Sequence, residues 1–242
     1  RGRGRGIAAA WPPDGAAADL GAAGRAGRRG QPYNRVMEDW LSCERPRRVV
    51  LASNNPGKLR EFAALFGPLG MELVPQAQLG VDEAEEPHAT FIENALAKAR
   101  HASRRTGLPA LADDSGLCVA ALRDAPGVYS ARYAQLAGGA RSDEANNALL
   151  LRELAGRRDR RARYVAVLAL VRHPDDPQPL IGQGELHGEI LDAPRGTGGF
   201  GYDPLFWLPA MQRSVAELDP QEKNRISHRA LALRELLARL GA

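Results

Sequence analysis

Residues 1–46 are Gly, Ala, Arg and Pro with no apolar period, and from Arg47 the chain changes to short apolar runs alternating with stretches of helical rhythm. The first segment has too little regular apolar surface to join a core and reads as a disordered Gly/Ala/Arg-rich extension. RVVLAS (Arg48–Ser53) predicts a buried strand. Asn55 followed by Pro56 reads as a helix cap with proline at the first helical position. The helix it opens, over 57–66, puts Leu59, Phe62, Ala63 and Phe66 on one face. MELVP (71–75) is a second strand, and 82–88 an acidic loop. Thr90 to about Arg105 reads as an amphipathic helix whose Thr90-x-x-Glu93 start fits a capping box. PALADD and LCVAAL predict two apolar strands around a turn. Residues 142–154 predict a helix, 162–171 a long strand, 181–191 a partly alternating strand and 227–240 a closing helix. This order predicts an α/β fold, a mixed sheet flanked by helices, in one domain over residues 47–242.

Charge changes the picture in one respect. The net charge is +4, but residues 1–48 hold ten Arg against five acids, so the folded body is close to neutral. A body without basic excess argues against a nucleic-acid-binding protein. The RGRGRG start resembles an RNA-binding Arg-Gly segment, and an upstream extension without a fold is the favoured reading. No run approaches the ~20 apolar residues of a membrane helix, and the start lacks the pattern of a secretory signal. Cys43 and Cys118 lie in unrelated contexts, which suggests neither a metal knuckle nor a disulfide framework. A cytoplasmic protein is the expectation.

Lysine is rare: only Lys58, Lys98 and Lys223, in a chain otherwise rich in Arg. All three fall in segments whose residue types handle phosphate, metal or a purine ring. SNNPGK (Ser53, Asn54, Asn55, Pro56, Gly57, Lys58) joins a strand to a helix start, where free N–H groups and the helix dipole favour an anion. It is not a Walker A loop, since Leu59 follows Gly-Lys. In the 91–100 segment Asn94 and Lys98 share a face and can meet a phosphate tail or a carboxylate, while Glu93 reads as a cap. Asp113-Asp114-Ser115-Gly116 reads as a strand end. Adjacent carboxylates there call for a cation, and Mg²⁺ accepts one or two carboxylates. Glu83, Glu85 and Glu86 are candidates for a further ligand. GGFGYDPLF (198–206) puts glycines beside Phe200, Tyr202 and Phe206, a loop suited to a flat nucleobase. Phe206 and Trp207 read as core-facing. In KNRISHR (223–229) Ser227 can cap the last helix, which leaves His228 and Arg229 at its N-terminus.

With these residues in order, the chain resembles the inosine/xanthosine triphosphate pyrophosphatase family over about Arg48 to Leu240. The resemblance implies an elongated α/β protein with a central twisted mixed sheet, a cleft between two lobes and a homodimeric state. It implies Mg²⁺-dependent conversion of ITP, dITP and XTP to the monophosphate and pyrophosphate. Residue by residue, it implies that Ser53 to Lys58 bind the triphosphate, and that Asp114 is the proton acceptor and a magnesium ligand, with Glu86 as a further ligand. It also implies that Ser115 contacts substrate, that Phe200, Gly201, Tyr202 and Asp203 form the base-side loop, and that Lys223, His228 and Arg229 complete the nucleotide contacts. Ser53-Asn54 stands where Thr-Gly is common in bacterial relatives. A Maf-like nucleotide pyrophosphatase is the nearest alternative, since it shares an early strand-to-lysine loop; the GGFGYDP and SHR segments argue against it. The resemblance does not extend to residues 1–46.

Overall fold

The structure, a computed structural model, describes residues 48–67 and 70–240. The expected extension over 1–46 lies outside the described residues. Seven strands form one sheet in the order β2-β1-β3-β4-β5-β6-β7. They are β1 (Arg48–Leu51), β2 (Glu72–Pro75), β3 (Ala110–Val119), β4 (Arg161–Val171), β5 (Leu180–Ile190), β6 (Phe206–Leu208) and β7 (Arg213–Ser214). β1 pairs in parallel with β2 and β3, and every later pairing is antiparallel. The sheet is therefore mixed, as predicted. Among the described residues six α-helices accompany it: α1 (Pro56–Phe66), α2 (Phe91–Thr106), α3 (Tyr133–Leu136), α4 (Asp143–Glu153), α5 (Pro220–Ile226) and α6 (His228–Arg239). Among the described residues no helix is long and apolar enough to cross a membrane.

Side chains alternate across a strand, so the two faces of β3 meet different helices. On one face Leu111 packs with Phe62 and Phe66 of α1 and Leu233 and Leu236 of α6. On the other, Ala110 and Ala112 pack with Ala95, Ala99 and Ala102 of α2. Alanine at these i, i+4, i+7 positions lets α2 lie close to the sheet, and Asn94 and Lys98 beside them are buried. A third cluster joins Leu117, Leu150, Leu154, Tyr164, Leu205 and Phe206. Phe206 is core, as its sequence context suggests, whereas Trp207 is only half-buried. Ala63 does not share the buried face of α1 with Phe62 and Phe66; it is exposed, because the helix buries one polar neighbour, Glu61, instead.

A larger expectation also fails. PALADD and LCVAAL are not two strands around a turn but one continuous strand, with every residue from Ala110 to Val119 paired to β4. Asp113, Asp114 and Ser115 thus sit in mid-strand. Gly116 serves close approach, not a turn: a Cβ there would lie 2.3 Å from the Gly127 carbonyl oxygen and 2.5 Å from Ser130 Oγ.

Glycine in β5 has a similar cause. A Cβ on Gly184 would lie 2.2 Å from the His228 carbonyl oxygen and 2.4 Å from Ala232 N, so α6 rides backbone to backbone on this strand. Gly184→Ala is expected to cost about 1–3 kcal/mol by overpacking, read as a lower urea midpoint. Gly67→Ala, with nothing within 4 Å of the added carbon, serves as the control. Equal midpoints for the two variants would disprove this account.

Candidate active site

The mid-strand position of Asp113 and Asp114 sends their side chains to opposite faces of the sheet. Asp113 and Ser115 point toward α1 and α6. Asp113 Oδ2 lies 2.7 Å from Lys58 Nζ and 3.4 Å from Arg229 Nε. It also accepts from Ser115 Oγ at 2.9 Å, and Ser115 Oγ accepts from Arg229 Nη2 at 2.8 Å. Arg229 Nη1 donates to Glu61 Oε2 at 2.7 Å, and Lys223 Nζ lies 2.8 Å from Glu61 Oε1 and 2.7 Å from Asp203 Oδ2. Lys58, Arg229 and Lys223 thus face Asp113, Glu61 and Asp203, three cations against three carboxylates. Burial alone would raise the Asp113 carboxyl, but Lys58 and Arg229 hold it far below the usual carboxylate range. Burial lowers Lys58, with Asp113 opposing. Burial would raise Glu61, and Arg229 and Lys223 bring it below its ordinary value.

Asp114 points to α2. Lys98 Nζ donates to Asp114 Oδ1 at 2.7 Å and to Glu86 Oε1 at 2.8 Å. Asn94 pins the acidic loop beside them: it accepts from His88 N at 3.0 Å and donates to the His88 carbonyl at 3.1 Å. Burial raises the Asp114 carboxyl, with Lys98 opposing. Lys98 itself is raised, since Asp114 and Glu86 together outweigh its burial. Asp114 Oδ2 is buried and has no hydrogen-bond partner. Among the described residues no three His, Cys, Asp or Glu side chains cluster as a complete metal cage. A hard-oxygen pair with one unsatisfied carboxylate oxygen is what Mg²⁺ uses when water and phosphate complete its shell, so Asp114 and Glu86 fit that ion. Glu93 is a capping side chain: Thr90 Oγ1 accepts from Glu93 N at 3.3 Å and donates to Glu93 Oε2 at 2.5 Å.

The Ser53–Lys58 loop is tied more tightly than its sequence suggests. Asn55 Oδ1 accepts from Gly57 N at 2.9 Å and Lys58 N at 3.1 Å, so it occupies two of the N–H groups expected to be free for an anion. Asn55 N in turn donates to Ser53 Oγ at 3.3 Å. What the loop offers is side-chain groups and the Lys58 ammonium.

The loop from Phe200 to Asp203 is anchored at each member. Phe200 lies over Gly57, 2.8 Å from where a Cβ would stand, with Lys223 Nζ 4.5 Å and Arg229 Cζ 5.5 Å from its ring centroid. Cation–π attraction favours that stacking. Gly201 is held from α4, where Asp143 accepts from its N at 2.7 Å and Asn147 donates to its carbonyl at 3.0 Å. Tyr202 is buried and donates to the Ser130 carbonyl at 2.9 Å. Asp203 accepts from Phe200 N at 2.9 Å and from Tyr164 OH at 3.1 Å. Ser227 caps α6 by accepting from Ala230 N at 3.2 Å. His228 follows, buried and stacked on Tyr164 at 4.8 Å with the rings 12° apart. Burial, reinforced by Arg229, holds its imidazole well below the usual range, so it is neutral, and its Nδ1 has no partner.

Two cavities meet here. A cavity of about 110 Å³ is lined by Ser115, Tyr164, Phe200, Tyr202, His228 and Arg229 among others. One of about 540 Å³ is lined by Ser53, Asn54, Glu86, Lys98, Arg132 and Arg141 among others. Asn55, Lys58 and Ala131 border both. The structure therefore brings all five sequence segments to one place. Pro56, the first residue of α1, lies outside both linings, as do Gly57, Asp114 and Lys223; Asp114 reaches the larger cavity's wall through Lys98, and Lys223 the smaller one's through Asp203. Glu61, Tyr164, Asp143 and Asn147 are site-building residues that sequence reasoning missed. Glu61 gave no local signal, since it lies off the helix face predicted from Leu59, Phe62, Ala63 and Phe66.

Fold and site define an α/β protein whose mixed sheet carries paired carboxylates and buried lysines at the junction of a polar and an aromatic-walled cavity. The chain belongs to the Ham1 family, whose pattern matches residues 49–239. It is 74% identical over 196 residues to the dITP/XTP pyrophosphatase of Bordetella pertussis, covering 81% of this chain and 92% of that protein. It is 69% identical over 194 residues to the dITP/XTP pyrophosphatase of Ralstonia nicotianae, covering 80% and 96%. Among solved structures, the HAM1 protein from Coxiella burnetii matches with a TM-score of 0.73 at 50% identity, covering 80% of this chain and 98% of that one. The Staphylococcus aureus Ham1 protein matches with 0.70 at 39% identity, covering 80% and 98%.

Proposed function

We propose that this chain hydrolyses non-standard purine nucleoside triphosphates, dITP, ITP and XTP, to the monophosphate and pyrophosphate, and so removes them from the nucleotide pool. The observation that carries the reading is the junction: an aromatic-walled cavity and a charged cavity share Asn55 and Lys58, which suits a base on one side and a phosphate chain on the other. Relatives at 69–74% identity bear the matching name.

In this reading Asp114 and Glu86 would hold Mg²⁺, which when bound neutralises phosphate charge and favours departure of pyrophosphate. Lys58, Lys98 and the Ser53–Asn55 side chains position the phosphates. Asp114 accepts a proton from the water that attacks the α-phosphorus, a role its burial-raised carboxyl suits. Phe200 and Tyr164 shape the base site. Donors from Arg229 and the neutral His228 face a 6-oxo group, and a 6-amino group would leave them unpaired, which disfavours adenine. Asp203, Gly201 and Tyr202 order the loop that closes the site, and Ser115 and Lys223 place Arg229 and Phe200. The protein is further proposed to be cytoplasmic and homodimeric, with residues 47–242 as the catalytic domain.

The test is product analysis with a nucleotide panel. Pyrophosphate release from dITP, ITP and XTP is expected to exceed that from ATP and GTP by a wide margin, with the full chain and with a variant lacking residues 1–46 alike. Orthophosphate as the first product would place attack at the γ-phosphorus and end this reading. Activity confined to the longer chain would end the domain assignment.

A further inference from the structure

The larger cavity holds cationic groups that the chemistry above leaves unused. Lys58 and Lys98 are each held within 2.8 Å of a carboxylate. Arg132 lines the same cavity with looser ties. Its Nη1 lies 3.6 Å from Glu86 Oε2, and its Nη2 donates to the Glu86 carbonyl at 3.3 Å. Its guanidinium lies 5.5 Å from the Tyr129 ring centroid, and 34% of the side chain is exposed. Arg141, one residue before the Ser142 cap of α4, also lines the cavity, is exposed, and has no hydrogen bond or ion pair among the described residues.

We infer that Arg132 and Arg141 form the receptor for the pyrophosphate half of the substrate and hold it as the leaving group. The inference rests on the proposed reaction. With the base in the smaller cavity, phosphates beyond the shared Asn55–Lys58 border extend into the larger one. When water's oxygen bonds to the α-phosphorus, the electron pair of the broken P–O bond stays on pyrophosphate, whose charge grows as it leaves. The water's protons pass to Asp114 and to solvent. A guanidinium meets two phosphate oxygens at once and keeps its charge at any working pH. The nucleoside monophosphate, which lacks these two phosphates, does not reach either arginine.

Calorimetric binding of inorganic pyrophosphate and, separately, of IMP to the full chain tests this. Arg132→Met and Arg141→Met are each expected to weaken pyrophosphate by about tenfold or more, as for loss of a charge-assisted contact, with IMP affinity within about twofold of wild type. Arg132→Lys, which keeps the charge without the fork, should fall between. Arg141→Met is the cleaner variant, because it breaks no hydrogen bond or ion pair among the described residues. Pyrophosphate affinity unchanged in both Met variants overturns the inference. So does parallel loss of IMP binding, which would mean that the arginines only shape the cleft. Failure of the proposed reaction itself would show differently, as absence of pyrophosphate release from dITP by the unaltered chain.

Discussion

Asp114→Asn is expected to lower kcat for dITP by about 10²–10⁴-fold, the scale of a lost general base, while leaving the fold in place. The side chain keeps its size, and Lys98 keeps its 2.8 Å partner on Glu86, so no buried cation is stranded. What goes is the capacity of a buried carboxylate to accept a proton, and one of the two groups suited to a divalent ion. The residues proposed to contact pyrophosphate and base are left unchanged, so nucleotide binding should survive in part. Single-turnover hydrolysis of dITP across a magnesium titration measures the loss, and thermal unfolding checks the fold. Turnover within about tenfold of wild type would remove Asp114 from the role of proton acceptor. The role would then fall to Glu86, the other carboxylate on Lys98, or to Asp113, which lines the larger cavity beside Lys58.

The longer strands and helices were legible because they carry their own periods and caps, whereas the short elements β6, β7, α3 and α5 were not predicted. Asn55-Pro56, Thr90 and Ser142 all stand where the structure starts helices. The Asp-Asp-Ser-Gly run misled for a physical reason. Its residues have turn chemistry, and nothing local shows that two charges can lie in mid-strand. They do so because oppositely charged groups wait on each face, Lys58 and Arg229 for one and Lys98 for the other. Glu61 was illegible for a related reason. On its helix it looks like a solvated acid, and only residues far along the chain, Lys223 and Arg229, make it a buried link. The sequence of β5 reads only as partly alternating, and the reason for its glycines appears when α6 is laid on them. The segments that form the site were therefore readable, but the pairings that hold the site rigid were not, since they join residues remote in sequence.

Asp113→Asn is expected to act mainly on stability, with a loss of about 3–5 kcal/mol, the usual consequence of removing one partner from a buried ion pair. Asp113 is 1% exposed. It balances the half-buried Lys58 and the buried Arg229, and both would lose that carboxylate. The amide can still accept from Ser115, but it brings donors toward two cations. Its effect on catalysis should appear in KM more than in kcat, because Lys58 and Arg229 lose the carboxylate that aims them while Asp114 is untouched. Substituting Asp159, whose partner Arg161 sits with it on the surface, should leave the urea midpoint close to wild type and calibrates the comparison. Urea unfolding of the two variants and the wild type gives the stabilities, and steady-state dITP hydrolysis gives the kinetic split. If Asp113→Asn unfolds at the same urea concentration as Asp159→Asn, the carboxylate does not balance the buried cations and the charged network is not what holds the two halves of the site together.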